Sequence, residues 1–253
     1  MNAAVSMEGV SKRFIAGGAQ VSALDGLTLH IGSGEFVSLL GPSGVGKSTI
    51  LNLVAGLELP DAGRISVAGA EVGRSAGPLP IAYMQQKDLL LPWRTVRDNV
   101  LLGPELRSAA ERKRREAEAQ TLLAEFGLEG FAQAWPAELS GGMRQRAALI
   151  RTLLCEQPVL LLDEPFGALD AITRGRLQRH VAQVWRALRK TVLLVTHDVD
   201  EALLLSTRIL LLGGPPGRVE EEVTVPVPLE EPRRLQMREH ILRRLDALTP
   251  VNA

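Results

Sequence analysis

Apolar and polar positions change rhythm three times along this chain. From residue 5 to about 83, short β-like runs alternate with turns such as Gly32-Ser33-Gly34 and Pro60-Asp61-Ala62-Gly63. That pattern predicts a small antiparallel sheet laid on a larger core. From about 87 to 157 the text turns helical: residues 105–126 carry Leu106, Ala110, Ala117, Leu122 and Leu123 among many charges. One amphipathic helix with an exposed face is expected there. From 158 to 212 the apolar runs 159–162, 192–195 and 209–212 alternate with helical stretches at 172–188 and 201–205. Unbroken apolar runs of this length read as parallel strands covered on both faces, in a doubly wound β-α-β-α-β order. Gly213-Gly214-Pro215-Pro216-Gly217 then breaks the chain, and a short strand (223–227) and a terminal helix (235–248) follow.

Chemistry enters where these elements end. The run 35–40 leads into Gly41-Pro42-Ser43-Gly44-Val45-Gly46-Lys47-Ser48-Thr49, and a helix-like segment at 50–55 follows it. In a strand–loop–helix context, Gly-x-x-x-x-Gly-Lys-Ser is a phosphate cradle (P-loop). The glycines adopt backbone angles closed to other residues, and successive N–H groups converge with a helix N-terminus on phosphate oxygens. Lys47 then reaches the β- and γ-phosphates, and Ser48 offers its hydroxyl to Mg²⁺. The run 159–162 delivers Asp163 and Glu164 to the carboxyl edge of the sheet, where ligands of open α/β sheets bind. Asp163 is placed to hold Mg²⁺ through its water shell, and Glu164 to polarise the water that attacks the γ-phosphorus.

A second anion-suited terminus lies between these sites. In Leu139-Ser140-Gly141-Gly142-Met143-Arg144-Gln145-Arg146, Ser140 is an N-cap and two glycines leave backbone N–H groups uncovered at the start of a helix over about 141–155. This Leu-Ser-Gly-Gly-x-x-Gln stretch resembles the signature of the ATP-binding-cassette (ABC) ATPases, and the resemblance extends over about 5–212. It implies an α/β fold of the P-loop NTPase type. The core sheet is mostly parallel, with an N-terminal antiparallel β subdomain and an inserted helical subdomain. The whole chain, 1–253, is then one ABC ATPase domain: 5–86 and 158–212 form the nucleotide-binding core, 87–157 the helical subdomain and 213–253 a C-terminal extension.

The resemblance also implies roles. Phe14 is similar to the aromatic that stacks on adenine. Gln86 is similar to the glutamine that contacts Mg²⁺ and the attacking water, with neighbouring Gln85 as an open alternative. Ala168-Leu169-Asp170 resembles the loop that touches a partner subunit, and His197, in Thr196-His197-Asp198, resembles the switch histidine. By the same resemblance Ser140, Gly141, Gly142 and Gln145 of one copy close over the γ-phosphate held by Lys47 of a second copy. ATP and Mg²⁺ are the expected cofactors. The implied partners are a second copy, integral membrane permease subunits and, indirectly, an extracytoplasmic solute-binding protein. Leu90-Leu91-Pro92-Trp93-Arg94-Thr95-Val96 and Pro216-Gly217-Arg218-Val219 are similar to segments of bacterial importers of the nitrate, sulfonate, taurine and pyrimidine-precursor group. Trp93 reads either as a permease contact or as a ring covered inside the subdomain.

Composition narrows the alternatives. Lys+Arg and Asp+Glu balance at 29 each, so no global field favours nucleic acid. The charged run from Glu111 to Glu116 reads as a solvated helix face, while Arg13, Arg144 and Arg146 adjoin phosphate-binding motifs and serve structure or binding. The one cysteine, Cys155, has no partner for an internal disulfide and suits a reducing compartment. No run is long enough to cross a bilayer and no export signal opens the chain. Composition thus predicts a soluble intracellular protein, and the ABC resemblance implies one peripheral to the cytoplasmic face of the membrane. A DNA- or ribosome-directed ABC ATPase would carry a long coiled coil or a second cassette, and a P-loop kinase has no use for Ser140–Gln145.

Overall fold

The computed structural model describes residues 3–249 apart from 76, 189 and 228. Two 14-residue strands, β1 (Ala3–Ala16) and β2 (Ala19–Gly32), form a long antiparallel hairpin. With β4 (Ala62–Val67) and β5 (Ala70–Glu71) they build a four-stranded antiparallel sheet in the order β2-β1-β4-β5. The larger sheet uses β3 (Phe36–Leu40), β6 (Ile81–Met84), β7 (Val159–Asp163), β8 (Thr191–Val195), β9 (Arg208–Gly213) and β10 (Arg218–Thr224). Its order is β10-β9-β3-β8-β7-β6, parallel throughout except for the antiparallel edge strand β10.

Every residue of β3, β7 and β8 is buried, as continuous apolar strands require when both faces are covered. The pleat sends alternate side chains to opposite sides. Val37, Leu39, Leu161, Leu193 and Val195 meet α1 (Lys47–Val54) and the antiparallel sheet. On the other side Phe36, Leu160, Leu162 and Leu194 meet α2 (Val96–Val100), α4 (Ala109–Glu125), α5 (Gly141–Leu154) and α6 (Ala171–Leu188). Between α2 and α4 lies the short α3 (Leu102–Arg107). Leu40, Ile209 and Leu211 form a third cluster with α7 (Val199–Leu205) and α8 (Glu231–Leu248).

Four expectations about local structure change. The helix predicted over 105–126 is two helices, because Ser108 is extended (φ −171°, ψ 160°) and its hydroxyl caps α4 by accepting from Glu111 N–H. Part of the charged run faces neighbouring helices, Arg112 bonding Asp98 and Glu105 and Arg97 pairing with Glu116, while Lys113 and Arg114 stay exposed. The run is thus a seam between helices on one side and a solvated face on the other. The strand predicted at 223–227 lies instead at Arg218–Thr224, since Pro226 stops the ladder and Glu220, Glu221 and Glu222 are tolerated on an exposed edge. The first helix begins at Lys47, and the last at Glu231 with Pro232 in its first turn.

Candidate active site

The loop after β3 is built for close approach. A Cβ on Gly41 would stand 2.6 Å from the Leu212 carbonyl oxygen, and Gly46 caps α1 in the left-handed region at φ 103° with no side-chain cap. Only glycine fits these two demands at low cost. Val45 is 2% exposed and anchors the loop in the core. Lys47 folds back so that its ammonium donates to the carbonyls of Gly41 (2.7 Å) and Pro42 (2.8 Å). Burial lowers the Lys47 pKa, opposed by the negative charges of Glu164 and Asp163.

This loop opens into a cleft of about 480 Å³, within the size range of ligand sites. Ser43, Gly44, Gly46, Lys47, Ser48 and Thr49 form its floor, Asp163, Glu164 and Gln86 one wall, and Phe14 another. Asp163 ends β7 almost fully buried. Burial and then the neighbouring Glu164 charge raise its pKa, while Ser48 and Lys47 oppose the shift. Glu164 is held at φ 48°, a backbone conformation uncommon for any residue other than glycine and concentrated at functional sites. Its N–H donates to Val195 O at 2.9 Å, which pins it to the end of β8. Gln86 Nε2 donates to Glu164 Oε2 at 3.4 Å, and His197 Nδ1 lies 3.4 Å from Glu164 Oε1. The His197 side chain is 68% exposed and borders Glu164 without being part of the cleft lining. Gln86, and not Gln85, belongs to the cleft lining. Phe14 pairs with Val21 across the hairpin and has the Lys12 ammonium 5.3 Å from its ring centroid.

The remaining sequence candidates lie outside this cleft. Ser140 caps the 14-residue α5 by accepting from Met143 N–H at 3.3 Å, and Ser140 and Gly141 are exposed. Gln145 is 7% exposed. Its amide donates to Glu164 O and accepts from Ala168 N–H, both at 2.8 Å. The side chain therefore ties α5 to the backbone of Glu164 and Ala168. Asp170 caps α6 by accepting from Thr173 N–H at 3.0 Å, and that bond holds its carboxyl below the usual range. Arg144 bonds Asp88 and Leu139 O, and Arg146 bonds Phe126 O and Gly142 O. Both arginines are engaged by the protein itself.

Comparison with known proteins identifies the family to which these motifs belong. The ABC transporter family model matches residues 24–167. The nitrate import ATP-binding protein of Synechocystis sp. is 40% identical over 88% of this chain and 82% of its own length. An aliphatic sulfonates import ATP-binding protein of Streptomyces avermitilis is 46% identical over 89% of this chain and 82% of its own length. A dimeric ATP-binding cassette solved in a post-hydrolysis state with ADP and Pi superposes with a TM-score of 0.78 at 32% identity, over 88% of this chain and 99% of that one. The chain belongs to the ABC transporter family. It is an ABC ATPase, and no described helix is long and apolar enough to cross a membrane.

Several residues of this ABC ATPase site carry no motif. Val21, Ser22, Ala23 and Pro215 also line the cleft. Only the pairing of β1 with β2 and the Gly-Pro break offered a signal for them. Glu201, in the first turn of α7, is 4% exposed, and burial followed by the Asp198 charge pushes its carboxyl up to about 8. In the sequence it looks like an ordinary acid at a helix start.

Proposed function

We propose that two copies of this chain bind two MgATP between them, the cradle of one facing the Ser140 terminus of the other, and drive an importer of small solutes such as nitrate, sulfonates, taurine or pyrimidine precursors. The observation that carries this reading is the separation of two anion-suited helix starts: Gly46–Thr49 lines the cleft, whereas Ser140–Gly142 is no part of its lining and is exposed at Ser140 and Gly141. A second copy resolves that separation, and the dimeric state of the similar cassette supports it.

In this reading Lys47 holds the β- and γ-phosphates and Phe14 stacks on adenine. Glu164 is the general base, with Gln86 and His197 positioning water and γ-phosphate beside it. Asp170 and its loop meet the partner copy. Asp163, Ser48 and Gln86 suit Mg²⁺: they present hard oxygen donors, and a cation would offset the burial that disfavours the Asp163 anion. Among the described residues no three His, Cys, Asp or Glu form a metal cage. Mg²⁺ is commonly held by one or two carboxylates and by the substrate's own phosphates. When bound, Mg²⁺ supplies charge neutralisation on those phosphates. The chain's division into a core (5–86 and 158–212), a helical subdomain (87–157) and an extension (213–253) belongs to the same reading.

Trp93 is 68% exposed and Leu89 50% exposed on the loop that follows Gln86. Large apolar side chains beside a Mg²⁺-contacting glutamine favour docking of an integral membrane permease subunit there. The chain would then sit at the cytoplasmic face of the membrane, reach a solute-binding protein only through the permease, and bind no nucleic acid. Glu164→Gln with MgATP should elute as a dimer in size-exclusion chromatography, and the wild-type chain isolated from membranes should bring a multi-span protein with it. A monomer at saturating ATP would overturn the two-copy reading.

A further inference from the structure

Beside Glu164 lies a void of about 10 Å³ whose walls include Glu164, Arg174, Thr196, His197, Asp198 and Glu201 but not Lys47. Glu164 lines both this void and the nucleotide cleft. We propose that the void is a one-water site and that Glu201 is a positioning residue which, through that water, holds the His197 turn against the loop carrying Glu164. The inference rests on the reading of Glu164 and His197 given above.

Two buried polar atoms point to the water. Glu201 Oε1 and Arg174 Nε have no hydrogen-bond partner in the protein, although both residues border the void and Glu201 is 4% exposed. Orphaned polar atoms this deep are uncommon and usually satisfied by an ordered water. The volume accommodates about one water and excludes a phosphate. Arg174 Nε–H donates to such a water, and Glu201 Oε1 completes its coordination.

The other contacts of these two residues show what the water would join. Glu201 Oε2 accepts from Gln178 Nε2 of α6 at 3.4 Å, and Glu201 N–H donates to Asp198 Oδ1 at 3.1 Å. Arg174 donates to Leu169 O at 2.8 Å and lies 3.7 Å from Asp198 Oδ2. Helix α6, the segment after Glu164 and the His197 turn are therefore joined through the contacts of Glu201 and Arg174 together. Burial and the Asp198 charge keep that carboxyl neutral up to about pH 8, so a neutral amide of the same shape should replace it.

The test is kinetic and crystallographic, on the full chain. Glu201→Ala should lower kcat about 10- to 100-fold with KM for ATP within about twofold, because a small misplacement beside the reacting atoms is costly. Glu201→Gln should recover kcat to within about threefold of wild type, with both variants' melting temperatures measured alongside. A well-resolved crystal structure should show one water bonded to Glu201 and Arg174. Wild-type kcat in Glu201→Ala, equal loss in both variants, KM rising in step with the fall in kcat, or an empty void would each overturn the proposal. Glu164→Gln serves as the separate arm: full turnover there removes the hydrolytic reading itself, whereas an inactive Glu164→Gln beside an active Glu201→Ala removes only this inference.

Discussion

The starts of α1 and α5 are written in similar residues and handle their backbone differently. At α1 the cap is a left-handed Gly46, no side chain bonds the first-turn N–H groups, and the terminus opens onto Lys47, Asp163 and Glu164. At α5 the Ser140 hydroxyl already accepts from Met143 N–H, Ser140 and Gly141 are exposed, and the terminus is no part of the cleft lining. The first is a complete cradle with its own chemistry. The second is a rigid, partly satisfied donor set that acquires a ligand only when something brings one to it. A helix start rich in glycine thus becomes a binding site through what its neighbours supply, and the dipole common to both termini does not distinguish them.

Four changes break or sharpen that contrast. The largest effect belongs to Glu164→Gln: steady-state phosphate release should fall about 10²- to 10⁴-fold while ATP titration stays as in wild type, as for loss of a general base. Unaltered turnover would leave the cradle without its chemistry. Next, a paired measurement separates the two termini. Lys47→Ala should weaken ATP binding about 10- to 100-fold, since it removes a charged hydrogen-bonding group. Ser140→Ala should leave single-chain ATP affinity unchanged and weaken dimer formation. Equal losses of affinity in that pair would erase the distinction.

A third change works through pH, behind the cradle. Glu201 faces Asp198, Arg174, Gln178 and Thr196, and its carboxyl is raised from 4.5 to about 8 in the folded chain. Between those values the folded state keeps a proton that the unfolded state has released. The resulting stabilisation is complete below about pH 4.5 and is lost as pH rises through about 8, amounting to a few kcal/mol. Urea denaturation of Glu201→Gln from pH 5 to 8 should lack that slope. If the two chains respond identically to pH, the carboxyl is not held neutral. The smallest effect is on stability in Ser140→Ala, about 1 kcal/mol for a lost N-cap, read from the same denaturation curves.

The order of elements and most of the cleft were legible because they are local. Unbroken apolar runs announce buried parallel strands, and Lys47, Ser48, Asp163 and Glu164 follow such strands at once. Elements with weaker local signals were misjudged. Ser108 with Glu111 three residues later is a cap-like pair inside a charged stretch, and the charges concealed it. The glutamates of β10 obscured an edge strand. Gln145 belongs to the signature, yet its amide reaches the backbone of Glu164 and Ala168, a contact between residues 19 and 23 positions apart that no spacing rule reveals.

The sequence by itself determined that this chain cradles a triphosphate and carries the ABC signature, because backbone freedom at glycine, strand burial and helix capping are properties of neighbouring residues. Only the tertiary structure decided which atoms meet: that Gln86 and His197 converge on Glu164, that Ser140 lies outside the cleft, and that Glu201 is buried behind the site. Those facts depend on how strands distant in the chain are ordered in one sheet, and burial and charge proximity act through space, with no local trace in the order of residues.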